Sequence, residues 1–178
     1  RLVSDDILSL IRRDADRVPV GKSKGDHSVP QDTIHELLIA SAREGKRTVR
    51  LKGGDPFIFG RGGEELEAIR AAGVAATVVP GISSALGCAA NAGLPLTHRD
   101  HAQSLTFVTG HAKEGGVPDL DWVSLARPAQ TVVVFMGVGT AATIAEKIIQ
   151  AGRAPSTPVA VIENGTRDNE IRVFGTLS

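Results

Sequence analysis

Val49-Arg50-Leu51-Lys52-Gly53-Gly54-Asp55-Pro56-Phe57-Ile58-Phe59-Gly60-Arg61-Gly62-Gly63-Glu64-Glu65 opens as a short β-like run and breaks into a glycine-rich loop that carries a carboxylate. The pattern is that of a strand delivering a small ligand to backbone groups. Gly53 and Gly54 let the main chain approach a ligand with no Cβ in the way, and Pro56 stiffens the exit from the turn. Asp55 narrows the choice of ligand. A carboxylate inside the loop repels phosphate, whereas it suits ribose hydroxyls or a cationic centre. The loop matches neither G-x-G-x-x-G nor the G-x-x-x-x-G-K-[ST] phosphate loop. A nucleoside-like ligand without phosphate therefore fits better than ATP or NAD.

Working outward from this loop, strands and helices alternate. Ser4 caps an expected helix with Asp5 and Asp6 in its first turn, and a short extended piece follows at residues 17–20. Pro30 suits a first helical position, Ile34, Leu37 and Leu38 give a helical stripe, and Gly45 closes that helix. Strands are expected at residues 48–52 and 74–79, on either side of a helix at 63–72 that stops at Gly73. The β-α-β-α-β order implies a parallel sheet. In the second half, residues 104–109, 131–136 and 158–163 read as strands, 141–151 as a helix closed by Gly152, and 171–174 as an edge or antiparallel strand. The expectation is an α/β protein of two lobes, residues 1–97 and 98–178, joined by the proline-bearing connection at 93–100, with a ligand cleft between them. Ligands of open parallel sheets bind beyond the carboxyl ends of the strands. The glycine-bearing turns at Gly53, Gly81, Gly110, Gly137 and Gly165 are therefore the places to look.

Composition removes several classes. In 178 residues, 42% are hydrophobic, enough for a sizeable core, and 20 basic side chains balance 20 acidic ones. A neutral chain with five Phe, one Trp and no Tyr disfavours a nucleic-acid surface. No run approaches the ~20 apolar residues of a membrane span, and a cytoplasmic address is expected. Cys88, the single cysteine, sits among Gly87, Ala89 and Ala90 and reads as a packed small residue. His98 and His101 have H-x-x-H spacing without a further ligand, so no metal is expected.

The glycine-loop run, the Val79-Pro80-Gly81-Ile82-Ser83-Ser84 turn, Leu96-Thr97-His98-Arg99-Asp100, Thr109-Gly110-His111 and Glu163-Asn164-Gly165-Thr166 together resemble the uroporphyrinogen-III C-methyltransferase family of tetrapyrrole methylases. That module is free-standing in some organisms and fused within siroheme synthase in others. The likeness runs in order along essentially the whole chain. The family begins with a strand, a glycine-rich loop and an acidic residue that lie before Arg1, so the natural protein is expected to extend upstream.

The resemblance implies methyl transfer from S-adenosylmethionine to C2 and then C7 of uroporphyrinogen III, giving precorrin-2 by way of precorrin-1, for siroheme or cobalamin. It implies cofactor contacts at Gly53, Gly54, Asp55, Ile58, Ser83, Ser84, Met136 and Gly165, and a homodimer. Ser83 and Ser84 stand where the family has a Thr-Ala pair, which keeps a hydroxyl at the first position. Lys22 matches a family lysine assigned to proton transfer, and a carboxylate clamp is an equal alternative for it. Arg61 and His27 are candidates for binding the substrate's carboxylates. Three rivals stand beside this reading: a sister methylase acting on a later precorrin, a ribosomal-RNA ribose methylase of the same fold, which the neutral charge and scarce aromatics disfavour, and a non-catalytic nucleoside-binding module.

Overall fold

The structure, a computed structural model, describes residues 3–21 and 29–178. Lys22 and His27 lie outside the described residues. The chain divides into two compact units, Arg1–Ser83 and Ser84–Ser178. This division falls ahead of the boundary expected at residue 97, and a specific tie explains why. Asn91, in the helix that opens the second unit, donates to Glu170 at 2.8 Å and accepts from Arg172 at 3.0 Å through its carbonyl.

The N-terminal unit begins with α1 (Asp5–Ser9), where the Ser4 hydroxyl accepts from the Ile7 N–H at 3.5 Å, as its sequence suggests. Helix α2 (Gln31–Arg43) starts one residue after Pro30 and buries Ile34. Helix α3 (Gly62–Ala71) carries Glu64 and Glu65 in its first turn, where the helix dipole favours anions, and ends before Gly73 at φ 74°. The strands expected at residues 48–52 and 74–79 do not form among the described residues. Neither segment makes ladder hydrogen bonds, and Val49 and Val79 are each 77% exposed. β-branched composition supplies the propensity, but a strand exists only against a paired neighbour, and no described segment pairs with either.

The C-terminal unit is α/β. Helix α4 (Ser84–Asn91) leads to β1 (Ser104–Thr109), which pairs in parallel with β2 (Gln130–Phe135) from Ser104↔Gln130 to Thr109↔Phe135. The crossover holds the short helix α5 (Trp122–Leu125), whose Asp121 cap accepts from the Ser124 N–H at 3.0 Å. A 3-10 turn (Val138–Thr140) then enters α6 (Ala141–Gln150). Ile144 and Ile148, one turn apart on α6, bury with Ala126 against Trp122, Val134 and Leu177. Buried Gln130 donates to the carbonyls of Ser124 and Leu125, while Arg153 donates to the carbonyls of Gln130 and Arg127 and so fastens the α5–β2 turn. Strands β3 (Pro158–Glu163) and β4 (Ile171–Thr176) pair antiparallel, resolving the open choice for the last strand. Among the described residues no helix is long and apolar enough to cross a membrane.

The core around α6 should dominate the stability of its unit. Ile144→Ala is expected to cost about 2–4 kcal/mol, whereas Val173→Ala on exposed β4 should stay within about 0.5 kcal/mol. Thermal denaturation of the two variants checks this, and equal shifts would contradict the packing described.

Candidate functional site

In the N-terminal unit the glycine loop and the turn at residues 79–81 are joined by one side chain. Asp55 accepts the Phe57 N–H on Oδ1 at 2.9 Å and the Gly81 N–H on Oδ2 at 3.0 Å. Both carboxylate oxygens are thus committed to backbone donors. The Gly81 and Phe57 hydrogen bonds hold the Asp55 carboxyl below the usual carboxylate range. A Cβ at Gly81 would penetrate the carbonyl oxygen of Gly54, so glycine is required for the approach of the two segments. The loop then closes on itself: Gly62 N–H donates to the Pro56 carbonyl at 2.9 Å, and a Cβ at Gly60 would lie 2.7 Å from the same oxygen.

This folding leaves Phe57, Ile58 and Phe59 exposed by 52%, 38% and 42%, an apolar rim on the loop. Phe59 and Arg61 adopt left-handed backbone, at φ 50° and 58°. The Arg61 guanidinium pairs with Glu64, at 2.9 and 2.6 Å to its two oxygens, and stays more than half exposed. Ser83 is only 4% exposed, and its Oγ has no hydrogen-bond partner among the described residues. A buried hydroxyl without a partner is costly and fits a polar group of a bound ligand.

The C-terminal unit gathers its own candidates. A Cβ at Gly110 would lie 2.6 Å from the Gly137 Cα, so the turns that follow β1 and β2 meet backbone to backbone. Thr140 Oγ1 donates to the Gly110 carbonyl at 2.7 Å and fixes that meeting. Met136, 61% exposed at the end of β2, has φ 57°. Gly165 is flanked by Asn164 at φ 52° and Thr166 at φ 65°, and a Cβ on it would collide with Cys88 Sγ in α4. Burial pushes the Cys88 thiol up, with help from the Glu170 charge, which suits a packing residue. Ser84, the first residue of α4, is exposed.

Of the six non-glycine residues with positive φ among the described residues, five lie in the candidate loops: Phe59, Arg61, Met136, Asn164 and Thr166. Such strain costs about 1–3 kcal/mol per residue and collects where a ligand must be met in one geometry. Two residues that sequence reasoning passed over brace these loops. Glu65 gathers Gln31, Arg50 and Lys52, and Glu170 takes the Thr166 N–H together with Asn91 and Arg172. Glu170 stands in no motif, and Glu65 closes the glycine-loop run without a role suggested for it there. No group of three or more histidine, cysteine or acidic side chains suited to a metal occurs among the described residues, and His98 and His101 stack on each other with centroids 4.7 Å apart.

The donor set fits S-adenosylmethionine in kind: glycine-built close approaches, an orphan hydroxyl, an apolar rim and no phosphate loop. Comparison with known proteins agrees. The siroheme synthase of Edwardsiella ictaluri is 59% identical over 178 residues, covering all of this chain and 38% of the relative. The chain thus spans well under half the length of that protein. The native form of uroporphyrin III C-methyl transferase from Thermus thermophilus superposes with a TM-score of 0.82 at 41% identity, over 99% of this chain and 74% of that one. The Thermus enzyme complexed with S-adenosyl homocysteine superposes with a TM-score of 0.73 at 44% identity, over 83% and 64%. The family model for tetrapyrrole (corrin/porphyrin) methylases matches residues 1–178, and with this whole-length match the chain belongs to that family.

Proposed function

We propose that this chain is the methyl-transfer module for uroporphyrinogen III, acting at C2 and then C7 to give precorrin-2 through precorrin-1. The observation that carries the reading is the Asp55-bridged, glycine-built loop, in a chain 44% identical to an enzyme crystallised with S-adenosyl homocysteine. When bound, S-adenosylmethionine supplies an electrophilic methyl group on a cationic sulfur. The residues of this chain have to bind, orient and desolvate. Gly53, Gly54 and the Asp55 backbone line the cofactor, Ile58 gives it apolar contact, and the Ser83 hydroxyl finds there the partner it otherwise lacks. Ser84, Met136 and Gly165 are proposed as cofactor contacts on the family resemblance.

An electron-rich pyrrole carbon needs no strong base to attack a sulfonium methyl, so alignment supplies most of the rate, up to ~7–11 kcal/mol in favourable cases. Proton loss from the methylated ring falls to Lys22 in this reading, and His27 and Arg61 receive substrate carboxylates. Arg61 can do so while still paired with Glu64, because its guanidinium has five donors. The product serves siroheme synthesis, with cobalamin as a second use of the same intermediate, in a cytoplasmic homodimer.

Asp55→Ala should weaken S-adenosyl homocysteine binding by about tenfold or more while the melting temperature moves by less than about 4 °C, read by calorimetry and thermal denaturation. Unchanged affinity would reject the bridge as the builder of the cofactor loop. The reaction is tested by anaerobic incubation with S-adenosylmethionine and uroporphyrinogen III, following the mass of the tetrapyrrole. Two added methyl groups are expected. Cofactor binding with no methyl added, in this chain and in one extended upstream, would overturn the assigned substrate.

A further inference from the structure

Glu65 is a buried acid that the proposed reaction does not use. Its side chain is 6% exposed, and one oxygen, Oε1, accepts from Gln31 Nε2 at 3.0 Å, Arg50 Nε at 3.2 Å and Lys52 Nζ at 3.0 Å. The three donors come from α2 and from the segment that feeds the glycine loop. Lys52 is the residue immediately before Gly53, and its side chain is only 12% exposed. Two cations therefore sit at the approach to a loop whose proposed ligand is itself a cation, and the Glu65 carboxylate pairs with both. Like charges near one site disfavour each other, most strongly where water is excluded.

We propose that Glu65 is a positioning residue for the cofactor loop. It holds Arg50 and Lys52 against α3 and offsets their charge, so that Gly53-Gly54-Asp55 presents neutral backbone to a cationic sulfur. This rests on the reading of that loop as the S-adenosylmethionine cradle. The idea separates from plain structural support through ligand charge. S-adenosylmethionine carries a sulfonium, whereas S-adenosyl homocysteine has a neutral thioether and differs otherwise only by the missing methyl group. A residue that merely shapes the loop affects both alike. One that balances charge affects the cation more.

The test is calorimetric titration of the whole chain with each ligand separately, on the wild type, Glu65→Gln, Lys52→Gln and the double variant. Glu65→Gln is expected to weaken S-adenosylmethionine about tenfold and S-adenosyl homocysteine less than about threefold. Lys52→Gln should shift preference the other way, toward the sulfonium, and the double variant should return the ratio of affinities to within about twofold of wild type. Equal weakening of both ligands by Glu65→Gln overturns the proposal. If Glu65→Gln loses its cooperative melting, Lys52→Gln decides, and an unchanged ratio in that variant overturns it. Failure of the wild type to bind either ligand would instead remove the cofactor reading itself.

Discussion

The Asp55 carboxylate, shared between the amides of Phe57 and Gly81, is the constraint from which the N-terminal half of the candidate site is built. It joins segments 26 residues apart and sets the spacing between Gly54 and Gly81 that only glycine tolerates. Charge-assisted hydrogen bonds from backbone amides are among the stronger polar contacts in proteins. Here they tie two backbone segments together and occupy both carboxylate oxygens. That reassigns the residue in physical terms: the sequence places an anion in the loop, and the structure employs it as a strut. Since the carboxyl lies below its ordinary range, its contribution is present above that range and fades as pH falls through the depressed value.

The same economy recurs in the C-terminal unit. Gly110 meets Gly137, Gly165 meets Cys88, and left-handed backbone at Met136, Asn164 and Thr166 fixes the direction in which each turn leaves its strand. Side-chain bonds brace these turns, Thr140 on Gly110 and Glu170 on Thr166. The buried cluster of the unit is α6 packed with Ala126, Trp122 and Val134 of β2. Under the proposed methyl transfer, which asks for alignment more than for acid-base chemistry, such turns are what the reaction requires.

Much of this was legible in the residues. Capping at Ser4, the stop at Gly73, the strands β1 and β2 and the helix before Gly152 follow from local signals that the structure repeats. Residues 48–52 and 74–79 were misjudged because propensity is local and pairing is not. Helix α4 escaped notice because Gly87 interrupts its helical propensity and its buried stripe, Ala85 and Ala89, is made of small residues. Left-handed backbone at Met136 and Thr166 has no residue-type signal at all, unlike Asn164, which favours that region. Glu65 and Glu170 were invisible for a related reason. Their partners are brought to them by the fold, and spacing along the chain does not hint at the match.

The most direct test of the central claim is a pH titration followed by NMR, observing the Asp55 carboxyl carbon and the amide nitrogens of Phe57 and Gly81 together. The bridge predicts one shared midpoint, below the ordinary aspartate value of about 3.9, for all three signals. An Asp55 that titrates near the ordinary value, with the Gly81 amide unmoved, would contradict it.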